Sequence, residues 1–493
     1  MTQDLFKNYN YLGFHNPSYI DNMGSIEISN DFSNLIAIKR KNSEVQIDKT
    51  AVIEILTKDY AFGDRTIVQG INKTPWMAKP NDAKTEWKFS PNIKFKNIEL
   101  NTLEISKKLF FLLKEEILNY VKGKKNIGIL LSGGMDSRMV AGVLDTLIKN
   151  NEIKEVKVIA FTWGKKSSRD VVYAKRIADR LKWGWKHFEM TSEDLLANIK
   201  ETAVRGCEYS PIHLHAMLRV REEKNIDCIL AGSYGDSMGR GEYSSKRIIH
   251  LYDIRSGIDN NNGLFKKNII KKHFVEINKD VNAYRKIYPQ DKKHQQIEQD
   301  YQIHYWRRML NPCMSVISEK TPLCQLFTSP KLVEFIWSLN PISRNDEVYK
   351  ELLKLFKTDL MDIPWARTGL KYGEIEGVPD SFEKKHYSYS DMINRDIYDN
   401  IKGLVLSNNI ERLNIFNMKT LSGIFKLMKT PLYYKDIALE SKLIWIASLS
   451  MFIDLYKIDL NLIDDGESNL YDTINMFLPL NKNILKKVKQ LLR

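Results

Sequence analysis

Seven residues carry the densest chemistry in the chain: Leu131-Ser132-Gly133-Gly134-Met135-Asp136-Ser137. Adjacent glycines let a backbone approach an anion closely and aim its N–H groups inward. Ser132 and Ser137 add hydroxyl donors, and a helix beginning near Ser137 would present its positive end to a phosphate. Asp136 conflicts with a bare anion site, because a carboxylate repels phosphate. A Mg²⁺ ion bridging carboxylate and phosphate oxygens removes the conflict. The loop is no Walker loop, since GxxxxGK followed by Ser or Thr is absent.

These residues need a strand before them and a helix after them. Ile127-Gly128-Ile129-Leu130-Leu131 reads as the strand, and Met139 to Lys149 as the helix. A second strand follows over Val156 to Phe161. A helix follows over Arg169 to Leu181, with Val172, Ala174, Ile177, Ala178 and Leu181 on one face, and a third strand over Ile226 to Leu230. Strands alternating with helices imply an α/β fold with a parallel sheet, whose ligands bind beyond the carboxyl ends of the strands. Residues 1–100 read as short strands and turns, a small β-rich domain. From Thr102 the spacing turns helical (Leu103, Ile105, Leu109, Leu112, Leu113, Ile117, Val121), opening a second domain over residues 101–493. Beyond about residue 245 the chain reads as mainly helical.

Composition sets outer bounds. In 493 residues, 43% apolar and 28% charged is a globular composition, excluding collagen-like, disordered and disulfide-scaffold classes. Lys plus Arg (75) exceeds Asp plus Glu (61), for a net +14, which suits an anionic partner without choosing one. Residues 264–293 hold nine basic and three acidic side chains, read as a solvated helical face. Four cysteines without a CxxC pair suggest a reducing, cytoplasmic setting, and no secretory signal is expected at Met1 to Asp4. The apolar run Leu443 to Ile453 is too short to span a bilayer and reads as a core helix.

The SGGxDS pattern after an apolar strand resembles the pyrophosphate loop of the N-type ATP pyrophosphatases. A second loop, Ala231-Gly232-Ser233-Tyr234-Gly235-Asp236-Ser237-Met238-Gly239-Arg240-Gly241, resembles the asparagine synthetase loop SGEGxDExxGG. The resemblance implies that Asp136 and Asp236 share Mg²⁺ on ATP and that the Gly232 backbone faces the nucleotide. Leu131, Ser132, Gly133, Gly134 and Ser137 would hold it, and the strand containing Phe161 would line the adenine pocket. Asp170-x3-Ala174-x3-Ala178, Glu319 to Leu323, Lys331 to Phe335 and Leu339-Asn340-Pro341 are similar to further family segments. Val348 to Leu353 matches the segment whose lysine faces the reacting phosphate, a role that passes to Lys350. Pro364-Trp365-x-Arg367-Thr368-Gly369 is similar to the basic segment after it. The likeness covers roughly residues 100 to 380, and Ala61 to Thr66 with Gly70-Ile71 resembles the end of a class II glutaminase domain. It implies an AMP-forming ligase that adenylates a small-molecule or peptide carboxylate and passes the acyl group to ammonia or an amine. A homodimer is compatible with it.

The departures are informative. Class II glutaminases use a cysteine at position 2, where this chain has Thr2, and its first cysteine is Cys207. Ammonia is therefore expected from a separate glutaminase, from solution, or to be replaced by a substrate amine. The proton-accepting glutamate of asparagine synthetases is Ser233 here; beta-lactam synthetases have tyrosine there, and a one-residue slip would offer Tyr234. Ser237 replaces the acid after the metal aspartate. Thr321 and Gln325 replace the substrate-binding arginine and aspartate, so aspartate is not the expected acceptor. His213-x-His215 reads as helical, where i and i+2 diverge, so a metal pair is not expected. Lys165, Lys166 and Arg169 read as loop charge. Two other readings compete: a tRNA-modifying pyrophosphate-loop enzyme, disfavoured by the lack of CxxC pairs, and a non-catalytic nucleotide sensor.

Overall fold

Short apolar strands joined by amphipathic helices bury both their faces most simply as a parallel sheet with helices on either side. The computed structural model has this arrangement. It describes residues 16–91, 95–239, 251–460 and 470–492, with side chains from 476 onward in the last segment; Thr2, Arg240 and Gly241 lie outside the described residues. The central strands are β1 (Asn126–Leu130), β2 (Lys157–Trp163), β3 (Gly184–Phe188), β4 (Cys228–Ala231) and β5 (Leu323–Gln325), in the order β5-β4-β1-β2-β3 and all parallel. Helices α1 (Thr102–Val121), α2 (Met135–Lys149) and α3 (Arg169–Leu181) flank them.

The strand order decides where a ligand can sit. Successive strands step outward from β1 through β2 to β3, and the chain then returns to the other side of β1 for β4 and β5. The crevice at this reversal opens beyond the carboxyl ends of β1 and β4. Ile129 pairs with Leu230, so the loops after these two strands leave the sheet side by side.

Two strands escaped the sequence reading. In β3, Gly-Trp-Lys-His-Phe lies at the sheet edge with only Phe188 buried, so it lacks an apolar run. In β5, three residues sit between Pro322 and a short turn. The second helix starts at Met135 rather than Met139, and the third spans Arg169–Leu181 as the spacing predicts.

The N-terminal segment has the expected small antiparallel sheets: Ser18–Asn22, Ser25–Ser29 and Ile71–Lys73 in one, Ala78–Pro80 with Trp87–Phe89 in the other. It also contains two helices that the β-rich reading left out, Phe32–Asn42 and Lys49–Lys58. Asp31 accepts from the Ser33 N–H, and Asp48 accepts from the Thr50 and Ala51 N–H groups, so both helices are capped. Leu35, Ile36, Val52 and Ile53 share a core with Leu443, Ile444 and Trp445 of the C-terminal helix Ile437–Leu455. No helix among the described residues is long and apolar enough to cross a membrane.

A polar joint ties this segment to the sheet domain. The loop at Ala61 to Arg65 meets a π-helical stretch, Tyr301–Leu310. Gly63 donates its N–H to His304 Nδ1 at 2.8 Å, and its carbonyl accepts from both Arg307 and Arg308 at 2.6 Å. Arg308 also donates to the Arg65 carbonyl at 2.7 Å, and Arg307 to Asp64 at 2.6 Å. Both guanidinium groups are 1% exposed, so their charges persist only because these acceptors surround them. Replacing Arg308 by Met should lower stability by about 3 kcal/mol, because it strands buried acceptors. Urea unfolding checks this, and a loss below about 1 kcal/mol would count against the joint.

Candidate active site

The phosphate-type loop takes its shape from its own side chains. The Leu131 N–H donates to the Phe161 carbonyl at 2.9 Å, holding the end of β1 against β2. The Ser132 N–H donates to Ser137 Oγ at 3.1 Å, and the Gly134 N–H to Ser132 Oγ at 3.1 Å. Gly134 is the N-cap of α2 and supplies no side-chain cap, so the first turn keeps N–H groups for an outside acceptor. Behind the loop, Arg138 is fully buried and donates to the carbonyls of Gly133, Leu360, Ile363 and Pro364. Burial pushes its guanidinium down to about 9. The Ala366 N–H adds a bond to the Gly133 carbonyl at 3.1 Å. Sequence reasoning passed over Arg138, since an arginine inside a helix ordinarily reads as surface.

The loop after β4 docks on this one backbone to backbone. A methyl group placed on Gly232 would lie 2.7 Å from the Asp136 carbonyl carbon and the Ser137 nitrogen. One placed on Gly235 would lie 2.6 Å from Asp136 Cβ. Asp236 follows directly and accepts from the Ser237 N–H at 2.8 Å. Tyr349 closes the far side, donating to the Gly235 carbonyl at 2.8 Å. Glycine is thus required at both positions by space, and through it the Asp136 and Asp236 loops meet.

Where they meet lies a cavity of about 410 Å³. Leu131, Ser132, Gly134, Asp136, Ser137 and Gly232 line it from the two loops. Thr162 and Trp163 line it from β2, and Met217, Leu310, Cys313 and Met314 form an apolar side. No lysine or arginine lines it among the described residues. Asp170 also lines it; burial raises its carboxyl, against the pull of His386 and the Gly133 N–H. His215 lies between the rings of Trp163 and Tyr387 at 6.0 and 4.7 Å, with Nδ1 2.8 Å from the Tyr389 hydroxyl, and burial lowers it to about 3. It is a neutral, packed imidazole at pH 7.

Residues 112–356 match the family model described as asparagine synthase. The chain carries an asparagine synthase domain. Over 166 residues it is 25% identical to a protein of Methanocaldococcus jannaschii described as an asparagine synthetase (glutamine-hydrolyzing). The match covers 31% of this chain and 29% of that protein, so less than a third of the relative's length is represented. The domain implies a family of ATP-dependent amide ligases.

Within this asparagine synthase domain, not every residue singled out from sequence reaches the cavity. Leu131, Ser132, Gly134, Asp136, Ser137, Gly232 and Ser233 line it, whereas Asp236, one turn further on and bonded to the Ser237 N–H, does not. Gly133 lies behind, under Ala366 and Asp170. Phe161 is fully buried against Phe188, and its neighbours Thr162 and Trp163 take the lining positions. Tyr234, at φ 68°, turns away: its hydroxyl, 2% exposed as a residue, donates to Asn311 Oδ1 at 2.7 Å and the Trp306 carbonyl at 3.0 Å. Burial raises its phenol well above the usual range. Ser233 Oγ donates to the Met314 thioether at 2.9 Å. Lys350 stands on helix Glu347–Lys354 beside Tyr349 and borders a separate hollow of about 180 Å³, with Nζ 3.5 Å from Glu347. Lys165 pairs with Glu383, while Arg169 is buried and bonds the Thr368 and Asp380 carbonyls.

The loop contact makes Gly232→Ala an informative variant. Its methyl group overlaps backbone, which cannot swing aside, so the loops must part. Binding of ATP with Mg²⁺ should weaken at least tenfold by calorimetry, with the midpoint of thermal unfolding within a few degrees. Unchanged binding would show that the contact does not build the site.

Proposed function

We propose that this protein is an ATP-dependent amide-bond-forming ligase. A carboxylate oxygen attacks the α-phosphorus of ATP, pyrophosphate leaves, and the acyl-adenylate passes its acyl group to ammonia or an amine with AMP departing. The observation that carries this reading is the docking of Gly232 and Gly235 on Asp136 and Ser137. It brings the start of α2 and the loops carrying Asp136 and Asp236 together beside one cavity, which Asp136 lines.

Asp136 and Asp236 fit Mg²⁺ by donor chemistry. They are hard oxygen donors, and Mg²⁺ favours one or two carboxylates with phosphates and water over a full protein cage. Among the described residues no cluster of three or more metal-ligating side chains competes for another metal. When bound, the ion would offset charge on the triphosphate. The protein's own groups do the rest: Ser132, Ser137 and the first-turn N–H groups of α2 orient the phosphates, and Trp163 with Thr162 borders the base. Lys350 neighbours Tyr349, which already rests on the Asp236 loop. Its exposed pairing with Glu347 is weak, so the ammonium can swing to the leaving pyrophosphate.

The acceptor carboxylate enters beside Met217, Leu310 and Met314, where no cation lines the wall among the described residues. This supports a substrate whose body carries no second carboxylate, in keeping with Thr321 and Gln325. All four cysteines are buried, so no exposed thiol supports glutamine hydrolysis, and the amine comes from elsewhere.

ATP–pyrophosphate exchange tests the proposal, using D-glucuronate, N-acetyl dipeptides, octanoate and aspartate as acids. Exchange should require acid and Mg²⁺, vanish in Asp136→Ala, and fall about 10²–10³-fold in Lys350→Ala. Persistent exchange in Asp136→Ala refutes the loop assignment. ATP bound yet left intact with every acid identifies a sensor instead.

A further inference from the structure

Amide formation needs a group to take a proton from the attacking amine, and the position that would ordinarily supply it is Ser233. Its hydroxyl already donates to Met314, and Tyr234 is committed to Trp306 and Asn311. The proton acceptor must come from another element facing the same end of the cavity.

Among the described residues three imidazoles line this cavity: His213, His215 and His386. His215 is tied to Tyr389 and enclosed by aromatic rings. His386 lies at the β2 side, its carbonyl accepting from the Lys165 N–H at 2.8 Å and its Nδ1 3.4 Å from Asp170. His213 differs from both. Among the described residues its Nδ1 is buried without a hydrogen-bond partner. It sits on the short turn Pro211–Leu214, which packs against helix Asn311–Met314. That helix carries the Cys313 and Met314 side chains of the apolar wall and holds Ser233 through Met314. His213 therefore lines the same cavity as Ser233, from a turn packed against the helix that holds Ser233.

Resting on the ligase reading above, we infer that His213 is the catalytic base of the second half-reaction. The amine lone pair attacks the acyl carbonyl carbon and a C–N bond forms. One N–H proton passes to an imidazole nitrogen, and the C–O bond to phosphate breaks with its electron pair leaving on AMP. The imidazolium then releases its proton to solvent. Burial keeps the imidazole neutral before the step, with Asp59 of the N-terminal segment opposing that shift. A neutral ring whose Nδ1 has no partner can accept a proton there without first giving up a bond.

The test separates the half-reactions, using whichever acid of the panel supports exchange and ammonium chloride as the amine source. His213→Gln should lower amide formation about 10²–10⁴-fold while changing pyrophosphate exchange no more than about threefold, so that adenylate accumulates. His213→Ala should regain amide formation when free imidazole is added, which a merely structural role would not produce. Amide formation within threefold of the parent enzyme overturns the inference. So does a parallel fall of both half-reactions without imidazole rescue. A parent enzyme that exchanges pyrophosphate with none of the acids overturns the ligase reading, and this inference with it.

Discussion

Everything at this site depends on two loops from non-sequential neighbouring strands touching through their backbones. Gly232 and Gly235 leave no room for a side chain against Asp136 and Ser137. That closeness brings the loops carrying Asp136 and Asp236, a hundred positions apart, together at one crevice, which Asp136 lines and Asp236 does not. An anion site alone would need only the doubled glycine and the helix terminus. An ion-bridged polyphosphate site needs the second loop as well.

The rest of the molecule can be read as support for that contact. From behind, Arg138 fixes Gly133 to the segment around Leu360 to Pro364, so the loop is clamped on the side away from ligand. From the far side, Tyr349 holds the Gly235 carbonyl. Further out, Arg307 and Arg308 bind the N-terminal segment to the π-helical stretch that ends at Leu310, which lines the cavity. The segment that resembles the end of a glutaminase domain thus acts as a buttress for the cavity's apolar side.

Much of this was legible in sequence where the signal is local. Strand, glycine turn and helix are adjacent in the chain, so the first loop could be read from its own residues. The helix Arg169–Leu181 has Ser168 as its cap and an apolar face, and its limits emerged correctly. Signals that depend on distant partners did not emerge. Arg138 owes its burial to residues more than two hundred positions away. Tyr234 could not be told from Ser233 by alignment, because its left-handed backbone sends the side chain into the core. His213 and His215 were read as diverging on a helix. They lie instead on a short turn ending at φ 46°, which lets both line one cavity. The N-terminal helices were readable from the caps Asp31 and Asp48, but the surrounding turn residues weighted that stretch toward strands.

The most direct measurement of the central claim is a double-mutant cycle on Mg²⁺·ATP affinity with Asp136→Asn, Asp236→Asn and the pair. If the two carboxylates share one ion, the second substitution should cost much less in the background of the first, a coupling of at least about 1 kcal/mol. Strictly additive losses, or an affinity indifferent to Asp236→Asn, would mean that the loops touch without serving a common ion.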